Sequence, residues 1–231
     1  QDKYLAQFSN GIGLIPATTI NPLFASMEFT TLARAFPGRF MPGYGHGVSV
    51  WMTQIGAAPT SSLKALEETV VAVRRLMAGE DVNVQGTEVR LDHVQMTVTP
   101  NEAPPLYIGA MRAKSLQLAG RVGDGTILTA TSSPAYVKWA VSHINAGKAQ
   151  AGRDAHHVVT YVETKVSPDG AAARAAARRS LATWWPWADI HMEALGIAAE
   201  AEALVAQHGD HWPEHVPDAW LDELAAAGTP D

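Results

Sequence analysis

The spacing of apolar residues changes several times along the chain. Across TSSLKALEETVVAVRRLMAGE they recur every three or four positions behind a Ser/Thr cap. Glu67 and Glu68 stand early, Arg74 and Arg75 late, and Gly79 at the end, which predicts a well-terminated helix. DVNVQGTEVRLDHVQMTVTP then alternates with period two around Gln85-Gly86, which predicts a β-hairpin insertion over residues 81–99. Short apolar runs in FSNGIGLIPA, RFMPGYG, PPLYIGA and DGTILTA predict buried strands, and HHVVTYVETKV a longer one. Helices are predicted between them. The first opens at Asn21-Pro22 and runs through LFASMEFTTLARAF, with Leu23, Met27, Leu32 and Phe36 on or near one face.

Strand and helix thus alternate at least five times across short loops, which favours a parallel sheet built as a barrel or as a doubly wound open sheet. The expected organisation is a single α/β domain over residues 1–231, its alanine-rich remainder after HHVVTYVETKV helical, with a helical insertion or lid over 168–218. Within that region WWPWADIH reads as a lid or an intersubunit patch, because exposed tryptophan clusters tend to be covered. WLDELAAAGTPD ends where an α/β chain would enter another helix and strand, so the last strand and the first units are expected to be missing.

Composition narrows the chemistry. The 231 residues are 47% hydrophobic and 17% charged, a globular balance, and the net charge of −6 argues against a nucleic-acid partner. There is no cysteine, which excludes disulfides, thiolate metal sites and cysteine nucleophiles. No apolar run approaches the ~20 residues needed to cross a bilayer, so no membrane association is expected and a cytoplasmic location is. The adjacent His156 and His157 point to opposite faces of a strand, and His208, His211 and His215 read as surface residues. No metal site is expected.

Glycines mark the strand ends. Gly11 and Gly13 close the first strand, Gly43, Gly45 and Gly47 the second, and Gly109-Ala110 closes PPLYIGA directly before a helix. Ligands in parallel α/β folds sit outside the carboxyl ends of the strands, and a helix N-terminus attracts phosphate. Three such sets point to a flat ligand with an anionic tail.

The order GIGLIP, FPGRFMPGYGHGVSVWMTQIGA and PPLYIGAMRAKSLQLAGRVGDGTIL resembles the luciferase-like monooxygenase superfamily, in the branch of methylenetetrahydromethanopterin reductase, over about residues 8 to 130. The resemblance implies a (β/α)8 TIM barrel binding FMN or the deazaflavin coenzyme F-420. It also implies a cis peptide at Gly13-Leu14 behind the ring, with Gly43 and Gly45 beside it. The cofactor phosphate would then lie at Gly109, Ala110, Met111 and Arg112, with Lys114 adding charge. Relatives often carry a carboxylate just after the third glycine, whereas Val48 stands there in this chain.

His46, flanked by Gly45 and Gly47, is the candidate catalytic proton group, because imidazole exchanges a proton near neutral pH. Trp51 and Gln54 are candidate substrate-pocket residues, and Glu28 reads as structural, pairing with a basic group such as Arg39. The expected activity is hydride transfer between F-420 or FMN and a small organic substrate, in a homodimer. The alternatives are an FMN-dependent monooxygenase of the same family, or a truncated barrel that binds without turnover. A sugar-phosphate isomerase or aldolase would need a lysine or carboxylate pair at the strand ends, which is not found.

Overall fold

The computed structural model describes residues 10–230, which divide into two compact units. The first unit comprises residues up to Ile127 together with His143–Val158, and the second Leu128–Ser142 with the chain from Val159 onward.

The first unit carries the strands that bear the glycines. In chain order these are β1 (Asn10–Pro16), α1 (Pro22–Ala35), β2 (Phe40–Gly45), α2 (Ser49–Gln54) and α3 (Ser62–Met77). A hairpin of β3 (Val82–Gln85) and β4 (Arg90–Val94) follows, then β5 (Tyr107–Gly109), α4 (Ala113–Val122) and β6 (Gly125–Leu128). With α5 (Pro134–Gln150) and β7 (His157–Thr160) the main sheet has five strands in the order β1-β2-β5-β6-β7. The first three pairings are parallel, and β1 carries an irregularity between Ile12 and Ile15.

Local chemistry explains most of these boundaries. Asn21 caps α1 by accepting from the Leu23 amide, and Ser61 caps α3 by accepting from Lys64. The face that α1 buries differs from the expectation. Ala25, Ser26, Phe29, Thr30 and Ala33 are inside, while Met27 and Phe36 are exposed. The small side chains let the helix lie close to its neighbours, and Ser26 satisfies its hydroxyl on the Pro22 carbonyl at 2.7 Å. Glu28 is exposed, and its charge acts on the buried Tyr44. Helices α4 and α5 touch through glycines: a Cβ on Gly120 would strike the Ile144 carbonyl, and one on Gly147 the Gln117 carbonyl.

At the amino ends of the strands, Asp124 gathers Arg74 at 2.8 Å, Arg153 at 2.6 Å and the Leu106 amide at 2.8 Å. Beside it, Tyr107 Oη meets His157 Nδ1 at 2.6 Å, and Thr126 Oγ1 meets His156 Nε2 at 2.8 Å. Both histidines belong to this structural end.

In the second unit β8 (Glu163–Val166) pairs in parallel with β9 (Ala225–Gly228). Between them lie α6 (Gly170–Trp184), a 3-10 turn at Trp185–Trp187, α7 (Asp189–Leu195), α8 (Ala198–His208), a 3-10 segment Gly209–His215 and α9 (Asp218–Leu224). Their apolar core includes Ala177, Leu181, Met192, Trp212, Leu221 and Leu224, with Trp185 against Trp212 at 4.5 Å between ring centroids. Two expectations are corrected here. HHVVTYVETKV is broken into β7 and β8, with Tyr161 and Val162 exposed at the break, and the alanine run after Leu224 is a strand rather than helix. Backbone pairing with β8 supplies what alanine's weak strand preference does not.

Candidate active site

The Gly13–Leu14 peptide is cis, as the resemblance implied. It lies within the irregular part of β1, and there the side chain of Leu14 turns across the neighbouring strands. A Cβ on Gly45 would stand 2.8 Å from Leu14 Cδ1, and one on Gly43 would stand 2.9 Å from Leu14 Cδ2 and 2.5 Å from the Ile12 carbonyl. A Cβ on Gly109 would collide with Leu14 Cδ1.

This corrects the reading of the glycines as bare backbone open to a ligand. The three positions do lie together, but the room they leave is taken by Leu14. Leu14 itself is 39% exposed, so the assembly presents one apolar ledge braced on the ends of β2 and β5. A flat ring set here would meet Leu14 rather than glycine backbone.

The junction after β5 is corrected in one detail. The Ala110 amide donates to the Ile127 carbonyl at 3.3 Å and is therefore engaged in the sheet. The open donors lie one turn further on. Arg112, the N-cap of α4, makes no side-chain cap, and the first turn has no acidic residue. The amides of that turn have no intrahelical partner, and their partial positive charge adds to Lys114. Met111 is half-buried, and Arg112 is exposed.

His46 sits beside this junction. Its Nδ1 lies 3.1 Å from the Ser62 carbonyl and its Nε2 lies 2.8 Å from Ser115 Oγ. A carbonyl only accepts, so the proton is on Nδ1, and Nε2 accepts from the Ser115 hydroxyl. Burial holds the ring below the ordinary histidine pKa, against the opposing effect of the Ser62 bond. His46 thereby ties the end of β2 to the first turns of α3 and α4. Any proton it passes at Nε2 runs along Ser115. Sequence reasoning singled out Lys114 and overlooked Ser115, whose signal was a hydroxyl in the first turn after Gly109-Ala110.

Val48 is the N-cap of the six-residue α2. Met52 is buried against Gly47 and Pro16, while Trp51 and Gln54 face outward, Trp51 with 55% exposure beside the exposed Val50 and Ile55. Trp51 is thus a largely exposed aromatic on the short helix that follows β2.

The residues present fit a planar cofactor with a phosphate tail. An apolar ledge lies on the ends of β2 and β5, and an uncapped, acid-free helix N-terminus opens just beyond Gly109. Among the described residues no group of three or more histidines, aspartates or glutamates could hold a metal, and no helix is long and apolar enough to cross a membrane.

The model of the family described as luciferase-like monooxygenase matches residues 9–231. A 5,10-methylenetetrahydromethanopterin reductase of Archaeoglobus fulgidus is 31% identical, over 96% of this chain and 70% of its own length. An F-420-dependent glucose-6-phosphate dehydrogenase of Nakamurella multipartita is 32% identical, over 68% of this chain and 47% of its own. Among solved structures, the coenzyme F-420 dependent tetrahydromethanopterin reductase from Methanopyrus kandleri superposes with a TM-score of 0.79 at 22% identity. That match covers 96% of this chain and 71% of that one. With the glycine-braced ledge and the helix junction both in place, the chain belongs to the luciferase-like monooxygenase family of flavin- and F-420-dependent oxidoreductases.

Proposed function

We propose that this protein moves a hydride between coenzyme F-420, or FMN, and a small organic substrate. The observation that carries the reading is Leu14, seated against Gly43, Gly45 and Gly109, an apolar side chain that would back a planar ring. When bound, the cofactor supplies two-electron redox chemistry at its ring.

The chain's own residues orient and hold. Leu14 would support one face, and the first-turn amides of α4 with Arg112 and Lys114 would take the phosphate. His46 would set the spacing between those two places through Ser62 and Ser115, keeping its proton at Nδ1. Trp51 and Gln54 would face the substrate. F-420 is preferred because two of the proteins above carry it in their names, one a glucose-6-phosphate dehydrogenase and one a tetrahydromethanopterin reductase.

In this reading the five-stranded sheet is an arc of a closed (β/α)8 barrel, the hairpin 81–99 and the helical stretch 168–218 are insertions, and the enzyme works as a cytoplasmic homodimer. Sedimentation tests the dimer. Reconstitution tests the cofactor: saturable binding of F-420 that weakens at least tenfold in Leu14→Asp supports the proposal. Saturable binding of FMN alone, with oxygen consumption by the reduced form, would move it to a monooxygenase. Failure to bind either would leave a non-catalytic barrel.

A further inference from the structure

A second opening lies in the first unit, on the carboxyl side of β1, and none of Leu14, Gly43, Gly45 or Gly109 lines it. It is a cavity of about 320 Å³ between the loop after β1, the loop after α2, one face of α3 and the tip of the hairpin. Its volume is within the usual range for a small-molecule site, ~300–1,000 Å³.

The walls are fixed rather than loose. Glu68 on α3 accepts from the amides of Thr87 at 3.1 Å, Glu88 at 2.8 Å and Val89 at 2.9 Å, which pins the hairpin tip. Glu88 Oε1 in turn accepts from the Ser61 amide at 2.8 Å. On the floor, Thr69 Oγ1 donates to the Ala17 carbonyl at 3.2 Å.

The groups left over are what a ligand would find. The side chain of Arg90, on the cavity wall, makes no hydrogen bond or ion pair among the described residues, although Glu88 is two positions away. Thr18 has only a 3.8 Å contact to the Met52 sulfur, and Asn21 uses its carbonyl oxygen on Leu23, leaving its NH₂. Glu88 retains its second oxygen. A guanidinium fits a phosphate or carboxylate, while a nearby carboxylate acceptor repels a bare anion and selects one that brings hydroxyl donors.

We propose that the cavity walled by Arg90, Glu88, Thr18 and Asn21 binds a small hydroxylated anion, of the phosphorylated or carboxylated polyol class. The site is separate from the cofactor reading and stands or falls without it.

The test is titration of the purified chain, without cofactor, by glycerol 3-phosphate, inorganic phosphate and glycerol at constant ionic strength, followed by amide NMR. Glycerol 3-phosphate is expected to saturate with a dissociation constant near or below about 1 mM, shifting the amides of Thr18, Thr19, Ala57 and Arg90. Arg90→Gln, at an exposed position, should weaken it about tenfold or more without unfolding the chain. Absence of saturation, shifts confined to the first turn of α4, unchanged binding by Arg90→Gln, or equal affinity for inorganic phosphate would each overturn the assignment.

Discussion

A Cβ on Gly109 would occupy the place of Leu14 Cδ1, although the two residues are on strands separated by β2 in the sheet. The glycine and the leucine are therefore one structural unit, and the pair makes the ledge. Gly109→Ala is expected to displace Leu14 and destabilise the fold by about 1–3 kcal/mol, the usual cost of overpacking. Leu14→Ala should relieve the clash, so that the double variant loses less than the two single losses together. Chemical denaturation of the four proteins measures that coupling.

His46 has a defined tautomer. Imidazole nitrogen NMR at neutral pH should show the proton on Nδ1 and a bare Nε2, because Ser62 offers only a carbonyl there. Ser115→Ala removes the donor that favours the neutral ring, so its pKa should rise toward the ordinary value. An Nε2-protonated ring in the native protein would sink this geometry.

Acid should loosen both units. His156 and His191 are held neutral with pKa values lowered to about 4, each chiefly by burial. His191 is 1% exposed, lies against Tyr136 and meets Thr129 Oγ1 at 3.1 Å. A histidine whose folded pKa is below its unfolded value of about 6.5 leaves the folded state with fewer protons than the unfolded one. Stability is intact above pH ~6.5 and falls as pH drops toward 4, by at most ~1.4 kcal/mol per pH unit for each ring. His191→Gln should flatten that dependence, read from urea midpoints between neutral and acid pH.

Asp124 resists burial, which would raise its pKa. The hydrogen bond from Arg74, with the Leu106 amide and Arg153, holds it low instead. Asp124→Asn leaves two guanidiniums without their shared carboxylate and should cost about 2–3 kcal/mol at neutral pH, measured by thermal or chemical unfolding. Because the folded pKa is depressed, that contribution is present above the ordinary aspartate value and disappears on further acidification.

Glu68→Ala should free the hairpin tip. Hydrogen exchange at the Thr87, Glu88 and Val89 amides is expected to accelerate at least tenfold, with the body of α3 unchanged. Equal exchange in both proteins would mean that the tip is held by other contacts.

Much of this protein was legible along the chain because its signals are local. The caps at Asn21 and Ser61, the period of α3, the alternation of the hairpin and the glycines at strand ends each act within a few residues, and family motifs preserve them in order. What needed the tertiary structure were contacts between residues far apart in sequence. Nothing near Gly109 says that its empty side belongs to Leu14, nor does anything near His46 name Ser115 as its partner 69 residues on. The exposed Met27, the break between β7 and β8 and the final alanine strand were decided likewise, by which neighbour offered a surface or a backbone to pair with. Periodicity reports what a segment can bury; only the packed neighbours decide what it does bury.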